Sequence, residues 1–150
     1  SVGQLGLDYV AMHKHGTHLN MHQITDCNDI ILETAEFFRQ MAKKLKDCNV
    51  RNWFLDPGFG FSKTIAQNYE LMRGLDDLKA LSCELGANRG VLVGVSRKSM
   101  IYKKLDISPE EALPATQVLH MFALQHGADV LRVHDVKAAS DTVCLYRELV

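Results

Sequence analysis

No stretch of this chain approaches the ~20 consecutive apolar residues needed to span a bilayer. Its first residues, SVGQLGLDYV, lack the basic-then-apolar order of a secretory signal. A cytoplasmic chain that neither crosses nor enters a membrane is therefore expected. Neither charge sign dominates: 17 Lys and Arg stand against 18 Asp and Glu, a net charge of −1. That balance excludes a global electrostatic pull toward nucleic acid or an anionic membrane surface. Cysteine is sparse, and Cys27, Cys48, Cys83 and Cys144 form no CxxC pair. A disulfide framework is not expected, and the thiols read as buried or helix-surface groups in a reducing compartment. There are only three prolines, no low-complexity segment and no Pro/Ser linker. The 150 residues are accordingly expected to form one domain segment, 1–150, long enough to bury a core.

Short apolar runs alternate with longer helical ones. The runs are LDYVAMH (7–13), VRNWFLD (50–56), GVLVGVS (90–96) and DVLRVHD (129–135). Runs this apolar predict strands buried on both faces, as in parallel sheets. Thr25 or Asp26 can cap a helix reaching about Lys46, with Ile30, Phe37, Met41 and Leu45 along one face. A second helix spans Asn68 to Leu85, with a break expected at Gly74. Ser108, Pro109 and Glu111 form a capping box ahead of a helix that Gly127 ends, and Pro114 should kink or restart it. A last helix begins near Ala138. The fold class is α/β, with four consecutive parallel β/α units: a small open sheet, or half of a (β/α)8 barrel. A whole barrel needs roughly 200 residues or more.

Each predicted strand ends in groups able to do chemistry: His13, Asp56, Ser96-Arg97-Lys98-Ser99, and Arg132 with His134 and Asp135. In parallel α/β folds these ends share one face, where active sites form. The stretch LDPGFGFSK (55–63) is neither G-x-G-x-x-G nor a Walker loop. Its Asp precedes the glycines at the strand end, and Pro57 turns the chain away. Asp56 is then placed to accept N–H donors from a flat heterocycle, with Phe59 and Phe61 as apolar wall. The competing reading is a turn in which Asp56 caps its own backbone. Lys98 follows a buried strand and suits a carbonyl or ring nitrogen; otherwise Arg97 and Lys98 are solvated loop cations. Arg132 and His134 alternate onto one strand face and suit an anionic leaving group such as pyrophosphate. Otherwise His134 is a hydrogen-bonded core histidine and Arg132 pairs with Asp135 or Asp56. The seven histidines invite a metal, but MHKHGTHLNMH has no zinc spacing and no nearby cysteine.

Four segments, AMHKHGTHLNMH, LDPGFGFSKTIAQNYELM, LVGVSRKSMI and GADVLRVHDV, together resemble the dihydropteroate synthase family in order and spacing. The resemblance covers essentially the whole chain and corresponds to strands five to eight, the C-terminal half of the family's TIM (β/α)8 barrel. It implies a transferase of folate biosynthesis, the sulfonamide target. That enzyme condenses 6-hydroxymethyl-7,8-dihydropterin pyrophosphate with p-aminobenzoate to give 7,8-dihydropteroate and pyrophosphate. It further implies that Asp56 holds the pterin's amino-pyrimidine edge and Lys98 its ring. Arg132 would pack on the pterin and serve the anion site, and His134 would hold pyrophosphate. Phe61 and Ser99 would line the p-aminobenzoate pocket, with Met12 near the pterin and Gly60 and Gly94 among the substrate-binding positions. Lys98, Arg132 and His134 are the catalytic candidates. The complete enzyme is expected to use Mg²⁺, with its ligand in an N-terminal half not represented here, and to form a homodimer.

Two positions depart from the family pattern: His18 stands where a proline is usual, and Ala115-Thr116 where Gly-Thr is usual. With half a site, these residues alone are expected to show little or no catalysis. Two sheet edges, Tyr9–His13 and Val130–His134, should be exposed. The competing readings are a pterin-binding methyltransferase domain acting on methyltetrahydrofolate, and an inactive α/β binding module whose strand ends do not converge.

Overall fold

The computed structural model describes residues 2–15 and 29–150. Four parallel strands lie side by side in chain order: β1 (Tyr9–Met12), β2 (Trp53–Asp56), β3 (Val91–Val93) and β4 (Ala128–Leu131). Between them run α1 (Ile30–Asp47), then α2 (Ile65–Arg73) and α3 (Leu75–Glu84), then α4 (Ser99–Leu105) and α5 (Leu113–Gln125), with α6 (Val136–Glu148) last. β1 and β4 are the sheet edges. The four β/α units and their parallel order are those expected from the alternation of apolar runs.

Local chemistry explains the helix ends. Asp29 caps α1 by accepting from the Ile31 and Leu32 amides at 3.0 and 3.1 Å. The predicted caps, Thr25 and Asp26, lie outside the described residues. Ile30, Phe37 and Leu45 on the predicted face are buried and Met41 is half-buried. Thr64 and Gln67 cap α2 reciprocally, and Gly74 separates α2 from α3. The Ser108–Glu111 capping box forms, with both bonds present, around a 3₁₀ turn at Glu110–Ala112. The helix then restarts at Leu113, which leaves Pro114 in the first turn, where its missing N–H costs nothing. Gly127, at φ +94°, follows the C-cap His126 and turns the chain into β4.

The strands are shorter than predicted, and only β3, with Val91, Leu92 and Val93 all buried, is covered on both faces as expected. Tyr9, Ala11 and His13 point toward α1, where Ala11 and His13 are fully buried; Leu55, Val91 and Val93 are buried on the helix-covered side. The other face is only partly covered. Val10 is 40% exposed and Met12, Phe54 and Val130 are not fully buried. Apolar composition reported the helix-packed side correctly and said nothing about whether a second layer covers the other. β4 hydrogen-bonds only through Leu131, although Arg132 N still reaches Val93 O at 2.9 Å and Leu131 and Val133 stay half-buried. The alternation outlasts the ladder, which is why the sequence reads the strand four residues too long.

Candidate functional site

The C-terminal strand ends converge on Asp56. Its side chain is 1% exposed. One oxygen, Oδ1, accepts the Gly58 amide at 2.8 Å, and the other, Oδ2, has no hydrogen-bond donor among the described residues. Both sequence readings of this residue therefore hold, oxygen by oxygen: Oδ1 builds the turn and Oδ2 is left over. Arg132 Nη2 lies 3.4 Å from Oδ2, near enough for charge attraction but not aligned as a hydrogen bond. Burial pushes the Asp56 carboxyl above its ordinary value. The Gly58 amide, Arg132, Lys98 and Lys63 oppose that shift and favour the anion. A buried carboxylate with an open lone pair is costly unless something donates to it.

Glycines let the cations approach. A Cβ at Gly94 would sit 3.0 Å from both Nε and Nη2 of Arg132, so the guanidinium lies against the backbone just past β3. At Gly60, φ +84°, a Cβ would meet Lys98 Cδ at 3.3 Å. Lys98 donates to Phe59 O and stands 4.9 Å from the centre of the Phe61 ring. Its pKa falls to about 8, chiefly through burial, then through Arg132; Asp56 acts in the opposite sense. Met12 pairs with Asp56 in the β1–β2 register and so shares its sheet face. Ser99 opens α4 directly after Lys98. His134 enters the cluster through its backbone: its amide donates to Ser96 Oγ at 3.3 Å and its side chain is exposed. His134 is thus not a buried core histidine.

Several residues take parts that the sequence reading did not give them. Arg97 is not a solvated cation. It pairs with both carboxylate oxygens of Asp135 at 2.8 and 2.9 Å and donates to Pro109 O and Glu110 O, tying the loop after β3 to the loop after β4. Asp135 is thereby occupied, and Arg132 is left to Asp56. Thr116, beside Ala115 where the family pattern has glycine, accepts the Arg97 amide at 3.1 Å and donates to Ala112 O. His13 is buried against α1, with Nε2 3.1 Å from Glu33 Oε1 and Nδ1 3.3 Å from Thr34 Oγ1. Burial carries its pKa down to about 4, aided by Lys63 and opposed by Glu33. His13 therefore supports the sheet from behind and does not face Asp56. His18 and Cys27 lie outside the described residues. Cys48, Cys83 and Cys144 are free and exposed.

The strand-end cluster lies on the open sheet face. A groove of ≈ 550 Å³ lies elsewhere, between α1 and the end of α3, lined by Arg39, Lys43, Leu45, Trp53 and Leu85 among others. It contains none of the converging side chains. Chemically, the cluster offers one unsatisfied anionic acceptor, an ammonium beside it and a guanidinium lying over backbone. That set suits a flat ring bearing N–H donors on one edge, with an anion nearby.

The sequence profile of the family described as pterin binding enzyme matches residues 1–134. The chain is 40% identical over 132 residues to the dihydropteroate synthase of Synechocystis sp., covering 86% of this chain and 44% of that protein. It resembles the solved structure of Xanthomonas albilineans dihydropteroate synthase in complex with 7,8-dihydropteroate, at TM-score 0.83 and 32% identity, covering 99% of this chain and 52% of that one. It also resembles Thermus thermophilus dihydropteroate synthase in complex with 4-aminobenzoate, at TM-score 0.83 and 30% identity, covering 99% and 59%. The chain spans about half the length of the curated relatives it matches.

Proposed function

The chain belongs to the family of pterin-binding enzymes, and from that premise we propose that it forms the C-terminal half of a dihydropteroate synthase and supplies one wall of the pterin site. The observation that carries this reading is Asp56, a fully buried carboxylate whose Oδ2 has no donor among the described residues while Lys98 and Arg132 converge on it. Asp56 takes the N–H donors of the pterin's amino-pyrimidine edge, and Lys98 donates to the ring. Arg132, flat over Gly94, packs on the pterin. With His134 it holds the pyrophosphate, whose oxygen keeps the electron pair when the carbon–oxygen bond breaks. The amine of p-aminobenzoate forms the new carbon–nitrogen bond and releases a proton. Phe61, Ser99 and Met12 line the two substrates, and Gly60 and Gly94 allow close backbone approach.

In this reading the complete enzyme is cytoplasmic and works as a homodimer. The half-open apolar groove between α5 and α6, with Val118 and Leu145 exposed, is a face that suits a second copy. No helix among the described residues is long and apolar enough to cross a membrane. Mg²⁺ belongs to the reading of the complete enzyme. Among the described residues no three His, Cys, Asp or Glu side chains come together to hold it.

The test is titration of the chain with a 6-hydroxymethyl pterin, followed by pterin fluorescence, with and without pyrophosphate. Saturable binding that pyrophosphate tightens supports the synthase reading. Binding indifferent to pyrophosphate favours the methyltransferase reading, because methyl transfer needs no anion clamp at Arg132 and His134. Absence of pterin binding overturns both for this chain. With p-aminobenzoate added, little or no product is expected from these residues alone.

A further inference from the structure

Above, Lys63 acts only through its charge on Asp56 and His13, yet three backbone carbonyls converge on its ammonium group. Nζ donates to Gly58 O at 2.9 Å and Phe61 O at 3.4 Å, within its own loop, and to His13 O at 3.2 Å, at the end of β1. The two backbones touch there. Gly58 has φ +69°, and a Cβ on it would come within 1.9 Å of His13 O. From the other side, Lys98 donates to Phe59 O. The loop from Asp56 to Lys63 is therefore held between two ammonium groups, one toward β1 and one beyond β3. Its carbonyls at 58 and 61 go to Lys63 and its carbonyl at 59 to Lys98.

We infer that Lys63 is a positioning residue, which locks the Asp56–Lys63 loop to the end of β1 and thereby sets where Asp56 Oδ2 and the Phe61 ring stand. The geometry argues against a bland surface cation. All three donor hydrogens of a lysine have an acceptor here. Burial is the main reason its pKa is lowered to about 8, while Glu33 from α1 and Asp56 from β2 hold the charge in place. The loop keeps its internal Phe61 N to Gly58 O bond and the Gly60 amide bond to Asn68 Oδ1 without Lys63. Losing Lys63 should therefore loosen the loop against β1 and leave the rest of the fold intact.

The role in substrate binding rests on the pterin reading; the loop lock does not. The experiment compares wild type, Lys63→Met and Lys63→Arg by amide hydrogen exchange and by titration with a 6-hydroxymethyl pterin. Lys63→Met should speed exchange at residues 58–62 about tenfold, as expected for losing hydrogen bonds to a charged donor, with α5 and α6 unchanged. It should weaken the pterin by roughly five- to tenfold. Lys63→Arg, which keeps charge and several donors, should recover most of both. Unchanged exchange in Lys63→Met overturns the lock. Faster exchange with unchanged pterin affinity, or an Arg variant no better than Met, overturns the positioning role. If wild type binds no pterin, the proposed function fails for this chain, and the exchange comparison alone decides whether Lys63 holds the loop.

Discussion

Two aspartates at opposite ends of the same sheet have contrary surroundings. Asp129, in β4 near the N-terminal strand ends, is satisfied on all sides. Lys79 Nζ donates to both its oxygens at 2.7 Å, and the Val91 amide donates to Oδ2 at 2.8 Å. Its side chain is 37% exposed, so water can also reach it. Asp56, at the C-terminal end, is buried and has, among the described residues, one donor for two oxygens. Around Asp129 the neighbouring polar groups are paired as well: Arg89 with Asp8 at 2.8 Å and Asn88 with Asn52 at 2.8 Å. One end uses charge to close the fold, and the other leaves a buried carboxylate oxygen without a donor among the described residues, at the end of the sheet where parallel β/α folds place their sites.

The largest blow to this contrast should come from Gly58→Ala. The left-handed φ and the 1.9 Å approach to His13 O leave no room for a methyl group. A loss of roughly 3 kcal/mol or more is expected in urea unfolding, from strain plus displaced backbone. An ordinary loss below ~1 kcal/mol would mean that the β1 and β2 loops are not locked together.

Acid should come next. His13 has a folded pKa of about 4 against 6.5 in the unfolded chain. Between those values the unfolded state binds more protons, so stability falls as pH drops through that window. The His13 contribution is roughly 3 kcal/mol at full protonation. Urea midpoints measured from pH 7 to pH 4 should show the fall, and His13→Asn should flatten part of it. A variant that keeps the whole acid limb would remove His13 from the account. The smallest effect belongs to the bottom of the sheet. Asp129→Ala removes a part-exposed ion pair and one acceptor for a buried amide, and should cost about 1–2 kcal/mol in the same assay.

The sequence made the top of the sheet more legible than the contacts that hold it. Asp56, Lys98 and Arg132 were readable because each follows an apolar run, and parallel topology carries such positions to one face. The capping box at Ser108 and the stop at Gly127 were readable because their signals are local. Lys63 was not, since its acceptors are backbone carbonyls and one of them is fifty residues away. The part of Arg97 was not legible either: its partner, Asp135, is 38 residues distant, and nothing in SRKS marks which cation faces inward. Glu33, buried between His13 and His15, sits in a helix whose apolar face predicts burial for its neighbours, not for a carboxylate. The open sheet face was also invisible, because apolar strands look the same whether one layer or two cover them.

The most direct test sets the two aspartates side by side. Pterin affinity and thermal midpoint are measured for wild type, Asp56→Asn and Asp129→Asn. Asp56→Asn should weaken the pterin about 100-fold, the scale of losing charge-assisted hydrogen bonds, without lowering the midpoint, because a desolvated charge has been removed. Asp129→Asn should lower the midpoint and leave affinity within about twofold, as expected of a group far from the ligand. Pterin binding that survives Asp56→Asn, or that falls equally in both variants, would contradict the account.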